Sequence, residues 1–299
     1  MSKVVVFGGS GFLGSHVADE LSRRAYEVVI FDRAPSPFLR DDQTMVVGDI
    51  QHEDQVAEAC AGAAYVYNFA GLADIDEAST KPRETVTANI LGNVNVLEGA
   101  RAAGAKRFLF ASSVYVYSNS GSFYRASKQA CERYVELFHE RFGLPFTILR
   151  YGSLYGRRAD DRNTIYRLVS QALTDRRMVY PGSGDELRDY IHAEDAAIAS
   201  VEALKPEFEN SHIVLTGSQS FRVRDVLMMI AEIMPFEVQC TFEPTAAAEH
   251  YTITPYTYTP RPGRKLMVNP FVDMGQGVLD CIEEATHRLG IELGHEHQR

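Results

Sequence analysis

Tyr124 and Lys128 stand four residues apart in the stretch FYRASKQACERYVELFHERFG. On a helix that spacing puts both side chains on one face, one turn apart. A phenol is a poor base near neutrality. Its reference pKa is about 10, so use at pH 7 needs roughly 3 units of help, or about 4 kcal/mol, and a neighbouring ammonium favours the phenolate. Ser113 closes the apolar run just before, where its hydroxyl can hold a substrate oxygen beside that phenol. Taken alone the pair is better described as an exposed aromatic and a solvated charge. Whether it does chemistry depends on what surrounds it.

The stretch KVVVFGGSGFLGSHVADELSRRAYEVVIFDR, residues 3–33, supplies that context. Val4 to Phe7 reads as a buried parallel strand, and it stops at Gly8-Gly9-Ser10-Gly11. From Ser15, Val17, Ala18 and Leu21 fall at helical spacing, so the glycines sit where a strand hands over to a helix N-terminus. Free amide N–H groups and the positive end of the helix dipole there favour a pyrophosphate. Gly9-x-Gly11-x-x-Gly14 fits the dinucleotide fingerprint, and Gly8-x-x-Gly11-x-x-Gly14 fits a variant of it. Val28 to Phe31 forms a second strand, and Asp32 at its end can accept hydrogen bonds from a ribose diol, which favours NAD over NADP. Arg33 could meet a 2′-phosphate, although Asp32 beside it would repel one. Glycine-rich turns often do no more than let a helix pack on a strand, but strand, helix and terminal acid together point to a dinucleotide. A bound nicotinamide would add a second positive charge beside Tyr124.

Further strands follow. Met45 to Gly48 leads into Asp49 and Ile50, which lie beside the adenine in a doubly wound sheet and are otherwise a plain turn. Tyr65 to Phe69 ends in Ala70-Gly71, small enough for a cofactor to pass close to the backbone. Thr85 to Ala103 has helical spacing with Asn89 on it, and Gly104 stops it. Arg107 to Ala111 and Pro145 to Arg150 are strands, and helical patterns run over 164–173, 194–204, 223–234 and 274–289. Strands alternating with helices predict an α/β fold, a Rossmann-type doubly wound parallel sheet with a smaller, mainly C-terminal α/β lobe.

Gly8-x-x-Gly11-x-x-Gly14, Asp32, Asn68 to Leu72, Ser112-Ser113, Tyr124-x-x-x-Lys128 and Arg188-Asp-Tyr-Ile-His192 stand in the order seen in extended short-chain dehydrogenases/reductases. Over about residues 1 to 230 the chain resembles that family, nearest to NAD-dependent nucleotide-sugar epimerases of the UDP-glucose 4-epimerase group. The resemblance implies that Ser113, Tyr124 and Lys128 are the catalytic trio. It implies an NAD site lined by Gly8, Gly11, Phe12, Leu13, Gly14, Asp32, Arg33, Asp49, Ile50, Phe69, Ala70, Gly71, Asn89 and Tyr151, with Tyr124 and Lys128. Residues 1–152 would form the NAD-binding domain, with 189–216 returning to it, and 153–188 with 217–299 the substrate-binding lobe. A nucleotide-diphosphate sugar is the implied substrate, with Arg188 presenting its guanidinium to the diphosphate, or else a surface salt bridge to Asp189 or Glu186. A homodimer through a four-helix bundle, built from helices around 89–103 and 124–142, is implied too.

The chain departs from the family in places. Only eleven positions separate Ser113 from Tyr124, which leaves a more open pocket. Gly152 and Ser153 stand where relatives carry Phe and Asn, and Ser153 is placed with the substrate residues. Tyr251-Thr-Ile-Thr-Pro255 is echoed by Tyr256-Thr-Tyr-Thr-Pro260, an extended segment leading to Arg261, read as a second phosphate ligand or as a solvated charge on an edge strand. Val114 and Tyr115 stand where related dehydratases and decarboxylases carry carboxyl residues. The expectation is epimerisation at C4 by transient hydride transfer to NAD; an NAD(P)H-dependent 4-keto-sugar reductase is the nearest rival, and a non-catalytic NAD(P)-binding sensor the more distant one.

The whole sequence of 299 residues agrees. A formal charge of −10 disfavours nucleic acid or an anionic membrane as partner. No leader and no membrane-length apolar run precedes the first strand, so a cytoplasmic protein is expected. Cys60, Cys131, Cys240 and Cys281 form no C-x-x-C pair and are read as buried small hydrophobes, with neither disulfide nor metal site.

Overall fold

Val4 to Phe7 are completely buried, as β-branched and aromatic side chains covered on both faces must be. They sit mid-sheet in a computed structural model that describes residues 1–118, 120–243, 263–268 and 270–291. Arg261, the Tyr/Thr repeat and the C-terminal histidines lie outside the described residues. Across the sheet the strands run Arg264–Lys265, Ser211–Leu215, Phe146–Tyr151, Arg107–Ser113, Tyr65–Asn68, Lys3–Phe7, Glu27–Asp32 and Gln43–Val47. Every pairing is parallel; Val6 faces Ile30 on one side and Tyr67 on the other. The chain builds outward from Lys3–Phe7 in one direction and then in the other. That reversal is the switch point of a doubly wound sheet, where strand C-termini leave a crevice for a ligand.

Helix Phe12–Arg23 turns Leu13, Val17, Ala18 and Leu21 inward. On another face, Glu53–Cys60 and Gly92–Ala102 bring Val56, Cys60, Val96 and Leu97 into one core with Val66 and Phe108. The long helix Ser122–Phe142 is bracketed by glycines with positive φ, Gly121 at 102° and Gly143 at 72°. Left-handed backbone at both ends gives it defined limits. The helix expected over Thr85 to Ala103 is interrupted: Pro82–Thr85 is α-helical, Val86–Leu91 forms a π-helix, and the α-helix resumes at Gly92.

The chain divides into two units. The first holds Met1–Tyr151, Ala196–Leu215 and residues 263–266; the second holds Gly152–Asp195 with residues 216–243 and 267–291. Strand Leu187–His192 pairs with Ser153–Tyr155 and Ser220–Arg222 in a separate three-stranded sheet. Gly152 lets this happen, since a Cβ there would lie 2.2 Å from the Asp189 carbonyl oxygen. The second unit also contains a parallel pair, Arg177–Tyr180 with Gln239–Phe242, and packs helices Thr164–Asp175, Val223–Ile233 and Met274–Leu289 together. Arg264–Lys265, expected in that lobe, adds to the edge of the first sheet. Of the cysteines, Cys240 is only half-buried, because its strand has a single pairing partner. Among the described residues no helix is long and apolar enough to cross a membrane.

Candidate active site

The glycine turn is a cradle that side chains would fill. Gly8 has φ of 77°, and a Cβ on it would lie 2.6 Å from the Ala70 nitrogen; a Cβ on Gly14 would lie 2.2 Å from the Gly8 carbonyl oxygen. Both contacts are with backbone, so they cannot give way. Gly11 differs: a Cβ there would meet only the Gly8 oxygen, at 3.2 Å. It is the N-cap of Phe12–Arg23 and supplies no side-chain cap, so the amides of Phe12 and Leu13 open the helix without a capping oxygen. A helix N-terminus without a capping side chain, beside Gly8, Gly9 and Gly11, fits a pyrophosphate.

Asp32 ends the second strand and accepts a hydrogen bond from the Ser10 amide at 3.0 Å, which ties the ribose-side acid to the phosphate turn. Arg33 beside it is exposed. Asp49 is partly exposed and receives the Gln51 amide. The Ile50 side chain packs in the core against Gly92, and its carbonyl accepts from Asn95, so Asp49 is the outward residue of the two.

Phe69, Ala70 and Gly71 follow the strand next to the first. Phe69 stacks on Tyr67 and lies 6.3 Å from the Tyr151 ring. Gly71 has φ of 140°, and a Cβ there would strike the Asn89 side chain. Asn89 works inward: its oxygen accepts the Leu72 amide at 2.6 Å, and its nitrogen donates to the Leu72 carbonyl and to the Ser127 hydroxyl. It clamps the loop after Gly71 to the helix that carries Tyr124. Asn89 sits in the π-helical segment, whose widened turn is a frequent mark of functional sites. Tyr151 likewise binds inward, with its hydroxyl 2.6 Å from that of Ser200.

Ser113, Tyr124 and Lys128 are brought together. Ser113 is the last residue of its strand, and its hydroxyl accepts the Tyr115 amide. Burial pushes the Tyr124 phenol up to about 12, with the nearby Ser113 hydroxyl opposing and Tyr115 adding to the rise. The Lys128 ammonium lies 5.6 Å from the Tyr124 ring centroid and donates to the Ala111 carbonyl at 2.8 Å. Desolvation lowers the Lys128 pKa, while Cys131 and Glu132 raise it.

Ser153 and Arg188 lie in the second unit, Ser153 opposite Tyr190 in the small sheet. The Arg188 guanidinium donates to the Leu187 carbonyl and is hydrogen-bonded to Tyr180.

The spacing argument missed a buried group next to the trio. Glu132, one turn beyond Lys128, forms an ion pair with Arg150 at 2.6 Å and accepts from Ser112. A carboxylate on the same helical face as Tyr124 and Lys128 was the available signal.

A sequence model of the NAD dependent epimerase/dehydratase family matches residues 4–216. A putative UDP-glucose 4-epimerase of Methanocaldococcus jannaschii is 26% identical over 271 residues, 84% of this chain and 88% of that protein. A UDP-N-acetyl-alpha-D-glucosaminuronate decarboxylase of Bacillus cytotoxicus is 28% identical over 243 residues, 73% of this chain and 75% of that protein. UDP-glucuronic acid 4-epimerase of Bacillus cereus, solved in complex with UDP-glucuronic acid and NAD, has a similar fold, with a TM-score of 0.81 at 22% identity over 96% of this chain and 99% of that one.

Proposed function

We propose, because the chain belongs to the NAD dependent epimerase/dehydratase family, that it epimerises a nucleotide-activated sugar at C4 and uses NAD to do so. The observation that carries this reading is the Lys128 ammonium 5.6 Å from the Tyr124 ring on one helical face, with the Ser113 hydroxyl near that phenol and the glycine cradle in the same unit. The amides at Gly11 to Leu13 would hold the cofactor's pyrophosphate, and Asp32 would accept hydrogen bonds from its ribose hydroxyls. NAD, when bound, would supply the hydride-transfer chemistry.

Tyr124 removes the proton from the 4′-hydroxyl and gives it back. With the phenol at about 12, ionisation at pH 7 is uphill by about 5 units, or ~7 kcal/mol, and nearby positive charge must offset this. Lys128 is one source of that charge, held by the Ala111 carbonyl. Ser113 hydrogen-bonds the reacting oxygen. Val114 and Tyr115 follow it, so neither position directly after the serine offers the carboxyl group that elimination or decarboxylation would use. We assign Ser153 and Arg188 to the sugar and diphosphate, Arg261 to a second phosphate contact, and the first and second units to NAD and substrate respectively.

The reaction is tested by incubating purified protein with UDP-, GDP-, CDP- and dTDP-sugars without added cofactor, UDP-sugars first. Interconversion of C4 epimers supports the proposal. Stoichiometric oxidation of added NAD(P)H with no interconversion makes the protein a reductase.

A further inference from the structure

Among the described residues, no bulkier side chain is fully buried than that of Arg150. It lies on Phe146–Tyr151, in register with Ser112, and its partner Glu132 lies on the helix of Tyr124 and Lys128; the two side chains are 0% and 2% exposed. Arg150 donates from Nε to Glu132 Oε1 at 2.9 Å and from Nη2 to Oε2 at 2.6 Å. The same Oε1 accepts from the Ser112 hydroxyl at 2.6 Å. Nη1 of Arg150 donates to the Tyr117 hydroxyl at 2.6 Å, and the guanidinium covers the Tyr117 ring at 4.8 Å.

Ser112 and Tyr117 flank Ser113 on its strand and on the short 3-10 helix that follows. One ion pair therefore holds a side-chain hydroxyl on each side of Ser113 and joins that segment to the helix two turns beyond Tyr124. Stability alone does not call for such a pair. Desolvation costs several kcal/mol per ion, and apolar residues of similar volume often serve as well or better. What apolar residues cannot supply is the bidentate fork, which fixes angle as well as distance.

We infer that Glu132 and Arg150 are positioning residues that hold Ser113 beside Tyr124, and so set the rate of the proton transfer proposed above. The inference rests on that proposal for its kinetic part only. Replacing the pair together, Glu132→Leu with Arg150→Met, should leave a folded protein with an unchanged or higher melting temperature. Its kcat should fall about 10- to 100-fold, the scale of a misplacement near 1 Å, with KM within about twofold. Its crystal structure, set beside that of the wild type, should show the Ser113 hydroxyl displaced from Tyr124. Ser112→Ala removes one grip without touching the charges and serves, with the same readouts and a smaller loss of about fivefold, if the paired variant does not fold. An unchanged Ser113–Tyr124 distance or an unchanged kcat overturns the inference. If the wild-type protein turns over no nucleotide sugar, the reaction assignment falls, and the Ser113–Tyr124 distance in the variant still decides the positioning.

Discussion

Tyr124 is placed for proton transfer yet strongly protonated, with its phenol pushed up to about 12 by burial. A base held that far above neutrality works only when cations gather round it, and then it loses its negative charge only by taking the substrate's proton. Replacing Tyr124 by Phe keeps the ring packing against Tyr115 and removes the hydroxyl. We expect kcat to drop by about 10² to 10⁴ with KM little changed, measured by steady-state kinetics on the epimerised nucleotide sugar. A loss of less than threefold would mean that another group moves the proton. At this scale spacing put Tyr124 and Lys128 on one helical face, while the assignment of Ser113, Tyr124 and Lys128 as a trio came from the family resemblance. Which way a side chain faces was not legible. Nothing in the local pattern said that Ile50 would turn into the core or that Asn89 would bind Leu72 and Ser127, and an arginine inside the apolar run FTILRY gave no sign of a buried partner.

At the level of elements, helix Ala193–Glu202 begins with a buried liability. Asp195 is raised from 3.8 to about 6, mainly by burial, with the Val272 amide opposing and Glu194 adding to the rise. A raised carboxyl favours the folded state when protonated, and that contribution is lost as pH rises through about 6. Asp195→Asn keeps an acceptor for the Val272 amide and escapes the loss. Chemical denaturation should find the variant more stable above pH 7 by up to about 3 kcal/mol, for a shift of about 2 units, with the advantage gone near pH 4. A difference that does not change with pH would refute this. Most elements were readable from period and punctuation, as the limits 274–289 for the last helix attest. The π-helix was not, since Val86 to Leu91 fits α and π windings equally well by composition. Nor was the sheet that Leu187–His192 joins: any half-apolar strand can pair with either sheet, and the choice turned on Gly152 admitting the Asp189 carbonyl.

For the molecule as a whole, two features bear on assembly and endurance. The adjoining helical stretches 82–102 and 122–142 leave Val86, Leu91, Tyr134 and Leu137 more than two-fifths exposed, an apolar surface suited to the expected four-helix dimer. Tyr134→Glu with Leu137→Glu should turn a dimer into a monomer in sedimentation equilibrium; a wild-type monomer, or a variant that still dimerises, would discard this surface. Burial lifts the thiols of Cys60, Cys131 and Cys281 from 9.0 to about 12. Because the folded state holds those protons more tightly, their contribution is intact below pH 9 and is lost between 9 and 12, up to about 4 kcal/mol each. Melting temperatures should accordingly fall steeply above pH 9, and a flat profile to pH 11 would contradict those burials. The doubly wound order was legible because a parallel sheet with right-handed crossovers admits few arrangements of these strands. The central claim is that Tyr124 moves a proton while the C4 hydride stays within the protein. It is tested most directly by turning over a nucleotide sugar deuterated at C4 and reading the epimer by mass spectrometry and NMR. Deuterium retained at C4 of the product, in protein given no cofactor, is the predicted result; deuterium lost to water or carried away on added cofactor would contradict the account.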